Sequence, residues 1–424
     1  MKKTGYLNRC LLQALLLIAL TLGLWRCSEP GGGETAGTAV SEQAMSEPGS
    51  LLDTAQQARI RELSNQYLLQ AQQDYSEADQ GIAALVAAID TLLANSSEAN
   101  LEAARQAWLA AHSAYETRLL HQYYAGQFAS AELGLQLQAL DYSINHWPIL
   151  PGYVDSVPDF AGSGIVNDMT VLLTPDNLRQ IHGQFDLSEA ALGFHVLEFL
   201  LWGADPQVPQ SVSAFVATDN LSEEQLEDGL SREQLPNNRR RRYLKLVVDL
   251  LYADFQQNRE LISQAITRRQ ATLASSPPSL LLSQALLAVT SLLTEEFLVR
   301  SLYPLLNGDY SGSVHAPYSR SSQNVVVSQL ASIEELLLGA PGFEDRSLDT
   351  LLAELSADFE ALFYPNLAAS KECLVLLYSD IQPPQSPEAA MTAEFEIVEC
   401  INLLTNLIDH LQQIQQNLIA LPRA

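Results

Sequence analysis

Gly193-Phe194-His195-Val196-Leu197-Glu198-Phe199-Leu200-Leu201-Trp202-Gly203 is apolar on nearly every side except at His195 and Glu198. Apolar residues all round predict a buried helix rather than an amphipathic surface helix. On such a helix His195 and Glu198 stand three residues apart and share a face. A buried carboxylate is costly unless it is paired or bound to a metal, so the pair demands an explanation. The spacing leaves two readings open. Either the side chains satisfy each other and nearby polar groups, or an imidazole nitrogen and a carboxylate hold a transition-metal ion, as in helical-bundle metal sites. Two residues do not complete a coordination shell.

Outward from this stretch the chain reads as helix after helix. Asp186 or Ser188 is the expected cap of a helix running to Trp202, which Gly203-Ala204-Asp205-Pro206 ends. Upstream, Asn145-His146-Trp147-Pro148-Ile149-Leu150-Pro151-Gly152-Tyr153 is a loop by its prolines and glycine, expected to be ordered because Trp147 and Tyr153 must pack. Ile60, Leu63, Tyr67 and Leu68 recur at helical spacing. Residues 82–93 form a second expected helix, ended by Asn95-Ser96-Ser97, and residues 101–123 a third with Trp108, Ala111 and Tyr115 on one face. The polar segment 204–238 holds Pro206, Pro209, Gly229 and Pro236 and is the expected domain boundary. Beyond it Leu244, Val247, Val248, Leu251 and Phe255 trace a helical stripe. Further helices are expected at 280–306, 323–338, 348–363, 367–381 and 394–421. No stretch alternates at period two. The fold class is therefore all-α, with two helical-bundle-like domains packed together, 51–220 and 221–424.

The N-terminus has export-signal proportions: Lys2, Lys3 and Arg9, then an almost wholly apolar run from Leu11 to Leu24. Leu24 stands three residues before Cys27, as in bacterial lipoprotein signals, although Trp25-Arg26 departs from their small residues. Residues 1–27 are read as the signal, with Cys27 a candidate lipid site through which the chain would meet a membrane. Residues 28–50 are read as a flexible linker. Cys10 lies in the signal, and the remaining cysteines, Cys373 and Cys400, flank Pro383-Pro384-Gln385-Ser386-Pro387. Antiparallel helices around that turn would bring them level, and an oxidising compartment permits a bridge; two buried thiols are the alternative. The net charge of −27 repels phosphate backbones and argues against nucleic acid as a partner.

Gly193-x-His195-x-x-Glu198 followed by Phe199-Leu200-Leu201-Trp202-Gly203 resembles the signature of the imelysin family, which includes insulin-cleaving membrane proteases and iron-regulated proteins of bacterial envelopes. Ile144-Asn145-His146-Trp147-Pro148 with Tyr153-Val154-Asp155 resembles that family's Asn-x-Trp-Pro loop and its following Tyr-(Ile/Val)-Asp. Trp108 and Tyr115 resemble its early Trp and Tyr, Arg240-Arg241-Arg242-Tyr243-Leu244-Lys245 the start of its second half, and Asp205 an Asp that follows the Trp-Gly. His315, Tyr318 and Ser319 fit its late His-Ser-x-Phe-Ser-Asp, whose preceding acids and final Asp are missing. The carboxylate usual after the early Tyr is absent as well, with Glu116 a substitute. The resemblance implies two helical bundles with the motif near their junction and a metal ion, iron or zinc, as cofactor. It makes His315 the best third ligand beside His195 and Glu198, with His146 weaker. His112, His121, His182 and His410 are read as ordinary surface or core residues.

The family's protease label finds little support in the residues. A zincin needs two His on one helical turn, and Phe199 stands where the second would follow His195. No Gly-x-Ser-x-Gly elbow is present. Arg239–Arg242 opens an expected helix, where positive charge opposes the helix dipole, and is read as pairing with the acidic remainder of the chain. The leading expectation is a metal-binding protein of the periplasm or outer membrane of a Gram-negative bacterium, serving iron acquisition beside other iron-uptake components of the envelope. The alternatives are a metal-dependent peptidase with Glu198 as catalytic base, or a metal-free module for peptide or polysaccharide.

Overall fold

The structure is a computed structural model, and it describes residues 52–158, 160–205, 208–227, 229–339, 347–379 and 381–419. The expected signal, Cys27 and the linker lie outside the described residues. Among those described there is no β-strand, only a single bridge between Val157 and Phe160.

The first helix, α1, runs unbroken over Thr54–Ala94. Asp53 caps it by accepting from the Gln56 amide, and the Gln56 side chain accepts from the Asp53 amide in return. Two helices were expected over this span. They are one because the buried stripe continues through Ala71, Tyr75 and Ala78 to Ile82. Gly81, the weak point for helix propensity, is where the neighbouring helix comes close: a Cβ there would stand 3.2 Å from Ala111 Cα. That neighbour is α2, Glu98–Thr117, capped by Ser97. The expected helix over 101–123 instead breaks at Arg118, before α3, Leu119–Gly126. Arg118 is wholly buried. Its guanidinium lies 3.6 Å over the Tyr115 ring and donates to Gln122 Oε1 at 2.6 Å, so the buried cation is met by rings and acceptors.

Helix α4, Ala131–Asn145, leads into the aromatic loop. The loop is ordered as expected: Trp147 is buried and the Tyr153 hydroxyl donates to Ile181 O at 3.0 Å. Helix α5 covers Phe194–Trp202 and every residue from Phe194 to Leu201 is buried. Its start differs from expectation. Asp186 and Ser188 close their own turn, with Asp186 Oδ1 accepting from the Ser188 amide and hydroxyl. The helix begins at Gly193, whose φ of 98° only glycine adopts at low cost.

The remaining long helices are α6, Pro236–Thr272; α7, Pro278–Leu292; α8, Ser322–Leu338; α9, Asp349–Leu355; α10, Phe359–Leu377; and α11, Pro387–Ile419. Helix α7 continues through a wider π-helical stretch, Leu293–Leu302. One helix was expected over 348–363. It is split at residues 356–358, and α10 runs on through Pro365, anchored by stacked, buried Phe359 and Phe363. Helices α10 and α11 pack together and are joined by a Cys373–Cys400 disulfide with Cα atoms 5.6 Å apart.

The described residues fall within one compact unit. Helix α6 lies against α1, α4 and α5; α8 lies against α2. The arginine run at the start of α6 ties these layers, though not as expected. Among the described residues, only Arg240 of this run meets a carboxylate, Asp155, at 2.5 Å. Arg239 donates to the carbonyls of Ile165, Val166, Asp168 and Val171, and Arg241 to those of Phe215 and Leu93. Carbonyls at helix ends and in irregular backbone need donors, and the guanidinium fork supplies several at once.

A Cβ at position 193 would stand 2.7 Å from Ile144 O. Gly193→Ala is therefore expected to lower the unfolding free energy by about 2–4 kcal/mol in a urea titration. An unchanged midpoint would contradict the close approach of the α4 terminus to α5.

Candidate metal centre

Helix α5 delivers His195 and Glu198 to the interior side by side. The His195 Nδ1 lies 3.0 Å from Glu198 Oε2. The other carboxylate oxygen, Oε1, accepts from both the amide and the hydroxyl of Ser319 at 2.7 Å. A carboxylate so engaged is an acceptor, so the His195 proton sits on Nδ1 and the Nε2 lone pair faces outward. That Nε2 is buried and has no hydrogen-bond partner.

Two further imidazoles meet it. One nitrogen each from His112, His195 and His315 lie within 4.8 Å of one another. Ring centroids are 4.9 Å apart for His195 and His315, 5.1 Å for His112 and His195, and 5.6 Å for His112 and His315. His315 Nε2 is also buried without a hydrogen-bond partner. The rings are held from behind. Trp108 stacks on His112 with centroids 4.6 Å apart and donates its indole N–H to Phe194 O, and Trp147 packs on His315 at 4.9 Å.

Glu116, one turn beyond His112 on α2, is the second buried carboxylate. Its Oε1 lies 3.3 Å from His112 Nε2 and 3.7 Å from His315 Nε2, and accepts from Asn145 Nδ2 at 2.7 Å. Its Oε2 accepts from Gln329 Nε2 at 2.7 Å. Burial by itself pushes this carboxyl up. The attraction of His315, together with the hydrogen bonds from His112 and Gln329, outweighs burial and holds Glu116 well below the usual carboxylate range. Burial works in the opposite sense on the imidazoles, pushing His195 below its ordinary value and His315 well below it. The site therefore combines an acid favoured in its ionised form with two rings, His195 and His315, whose neutral form burial favours.

Of the residues expected from sequence, His195, Glu198 and His315 converge. His146 does not join the cluster; it packs against Tyr142, with ring centroids 4.4 Å apart, and His182. His121 pairs with Asp74, and His182 lies between Tyr142 O and the Ala191 amide, as structural histidines do. His112 is a correction: read as ordinary, it is one of the three clustered rings. Its signal was available, since His112 and Glu116 are four apart on the helix face that carries Trp108 and Tyr115. Asn145, Gln329 and Ser319 carried no comparable local signal for their contacts.

The imelysin family profile, a peptidase family by its description, matches residues 71–372. Among solved structures, one described as an iron-regulated protein A precursor from Parabacteroides distasonis is similar with a TM-score of 0.55 at 15% identity, over 86% of this chain and 97% of that one. An imelysin-like protein from Psychrobacter arcticum aligns with a TM-score of 0.49 at 16% identity, over 85% and 94%. At such identity the first likeness shows the fold. No curated protein matches.

Because Glu116 is held ionised in the folded state, its contribution to stability is full above the ordinary carboxylate value and is lost only as pH falls through its depressed folded value. Glu116→Ala strands Gln329, Asn145 and two imidazoles, and is expected to cost about 3–5 kcal/mol at pH 7. Chemical denaturation at pH 7 measures it; a loss under about 1 kcal/mol would contradict the acid's central place.

Proposed function

The chain belongs to the imelysin family, and on that premise we propose that it is an exported protein that holds one divalent transition-metal ion through His112, His195 and His315, in the service of iron acquisition. The observation that carries the reading is the pair of unpartnered, buried Nε2 atoms on His195 and His315. Leaving such an atom unsatisfied costs about 1–3 kcal/mol, and two of them in one imidazole cluster beside a buried acid call for a shared occupant. The donor chemistry fits: imidazoles with a carboxylate suit zinc or ferrous iron. Tetrahedral ligands about 2.1 Å from zinc stand about 3.4 Å apart, so the cluster closes with small ring movements.

In this reading Glu198 is an orienting partner rather than a ligand. It accepts from His195 Nδ1 and so fixes the tautomer that presents Nε2, while Ser319 fixes Glu198. Glu116 supplies the compensating negative charge. A bound divalent ion would bring Lewis-acid charge to the centre of the rings.

The peptidase alternative draws on the family's description alone. The cavity that His315 shares with Trp147, Glu296 and Gln329 holds about 20 Å³, enough for a water, and a wider one of about 340 Å³ opens beside Ser319 and Trp202. Export is supported by the Cys373–Cys400 disulfide, a bond of oxidising compartments, and by the description of the Parabacteroides structure as a precursor. A lipid at Cys27 and attachment to the outer membrane belong to the same proposal.

Purified protein offered ferrous iron or zinc and then desalted is expected to retain about one metal per chain. His112→Ala, His195→Ala and His315→Ala should each abolish retention, and Glu198→Gln should weaken affinity about 10–100-fold. Elemental analysis reads the result; no retention by the parent protein, or full retention by all three alanine variants, would sink the reading. Peptide cleavage abolished by Glu198→Ala or Glu116→Ala would favour the peptidase.

Burial holds His195 and His315 below the ordinary imidazole value, so acid must outcompete the metal for rings that resist protonation. Metal is expected to stay bound as pH falls through about 6.5, the ordinary imidazole value, and to be released only at lower pH. Release centred at or above that value in a pH titration would show that these rings titrate as solvated ones.

A further inference from the structure

A second polar cluster lies in a different cavity. Residues of α1, α3, α7 and α8 line a cleft of about 300 Å³, within the range of small-ligand sites. None of the residues of the imidazole centre lines it, and the inference does not rest on a metal. Its walls are largely aliphatic, Leu63, Leu282 and Leu336 among them.

Three polar groups interrupt that wall. Tyr67 is 7% exposed, and its hydroxyl is buried without a hydrogen-bond partner. Gln66 Oε1 is likewise buried and unpartnered. Glu335 is half-buried and meets no cation among the described residues. Burial, then the negative charges of Asp74 and Glu77, push the Glu335 carboxyl up to about 7. Asp74 already has a partner in His121 at 2.5 Å. Arg269 is engaged by Gln284, Tyr124 and the Phe128 ring. The ring of Tyr67 meets that of Tyr124 edge-on, with centroids 5.1 Å apart, so two aromatic residues also line the cleft.

Acceptors, aromatic rings and a carboxylate that meets no cation among the described residues, in an apolar cleft, select one ligand chemistry. An anion would meet Glu335, Asp74 and Glu77. A purely apolar molecule would leave Tyr67 and Gln66 unsatisfied at a cost of about 1–3 kcal/mol each. An ammonium group is attracted by the carboxylate and by the tyrosine rings, and an apolar body buries the leucines. We propose that this cleft binds a small primary ammonium ion with an apolar body, its cation at Glu335, Gln66 and Tyr67 and its body along Leu63, Leu282 and Leu336.

The test uses the full chain and three probes of one shape: phenethylammonium, 2-phenylethanol and 3-phenylpropanoate, titrated calorimetrically at neutral pH. Phenethylammonium is expected to bind once per chain, about ten-fold more tightly than the alcohol, with no binding of the carboxylate. Glu335→Gln should bring the amine down to the alcohol's affinity and leave the alcohol unchanged, which also reports that the cleft is intact. Should circular dichroism show that variant unfolded, Glu335→Asp carries the same comparison, with a smaller preference expected. Equal binding of amine and alcohol, tighter binding of the carboxylate, an amine preference that survives both substitutions, or no saturation by about 10 mM would each overturn the assignment.

Discussion

The interior of this protein is organised around two carboxylates taken out of water. Glu116 and Glu198 are both fully buried, and an ionised acid in such a setting is tolerated only when its lone pairs are filled. Glu198 spends its oxygens on His195 and Ser319; Glu116 accepts from Asn145 and Gln329 and faces His112 and His315. These partners come from α2, the end of α4, α5, the loop before α8, and α8 itself. Satisfying two acids therefore fixes the relative positions of segments spread over more than half the chain.

The arrangement divides labour between the acids. One holds an imidazole by its proton-bearing nitrogen and leaves the other nitrogen free; the other accepts from His112 and supplies charge beside the free nitrogen of His315. Burial favours the neutral form of His195 and His315, and neutral rings are the form that ligates. The aromatic residues serve the same end. Trp108, Trp147 and Phe194 pack the imidazoles so tightly that each ring has little rotational freedom to recruit a different partner. The aliphatic cleft beside Tyr67 follows the opposite rule, with an acid that meets no cation and polar atoms that have no hydrogen-bond partner among the described residues.

The arginines at the start of α6 show why a charge run is an unreliable guide to a partner. An acidic chain suggests ion pairing, yet Arg239 and Arg241 donate to backbone carbonyls of short helical turns, a loop and the last turn of α1. The demand came from helix ends and irregular backbone, which composition does not reveal.

Local pattern alone determined the all-helical class, the burial of α5 and the shared face of His195 and Glu198, because helical periodicity acts over three or four residues. It also marked Cys373 and Cys400 as partners across a turn, and family resemblance added His315. It misjudged where helices join and break: α1 runs through Gly81, where α2 approaches it, and the helix over 101–123 breaks at Arg118, whose buried guanidinium packs on Tyr115 and donates to Gln122. The inclusion of His112, the bonds of Asn145 and Gln329 to Glu116, and Ser319's hold on Glu198 belong to tertiary structure. The Gln329–Glu116 bond spans 213 positions and the Ser319–Glu198 bond 121. Periodicity has no reach at such separations; only the packing of helices against one another decides which buried polar groups meet.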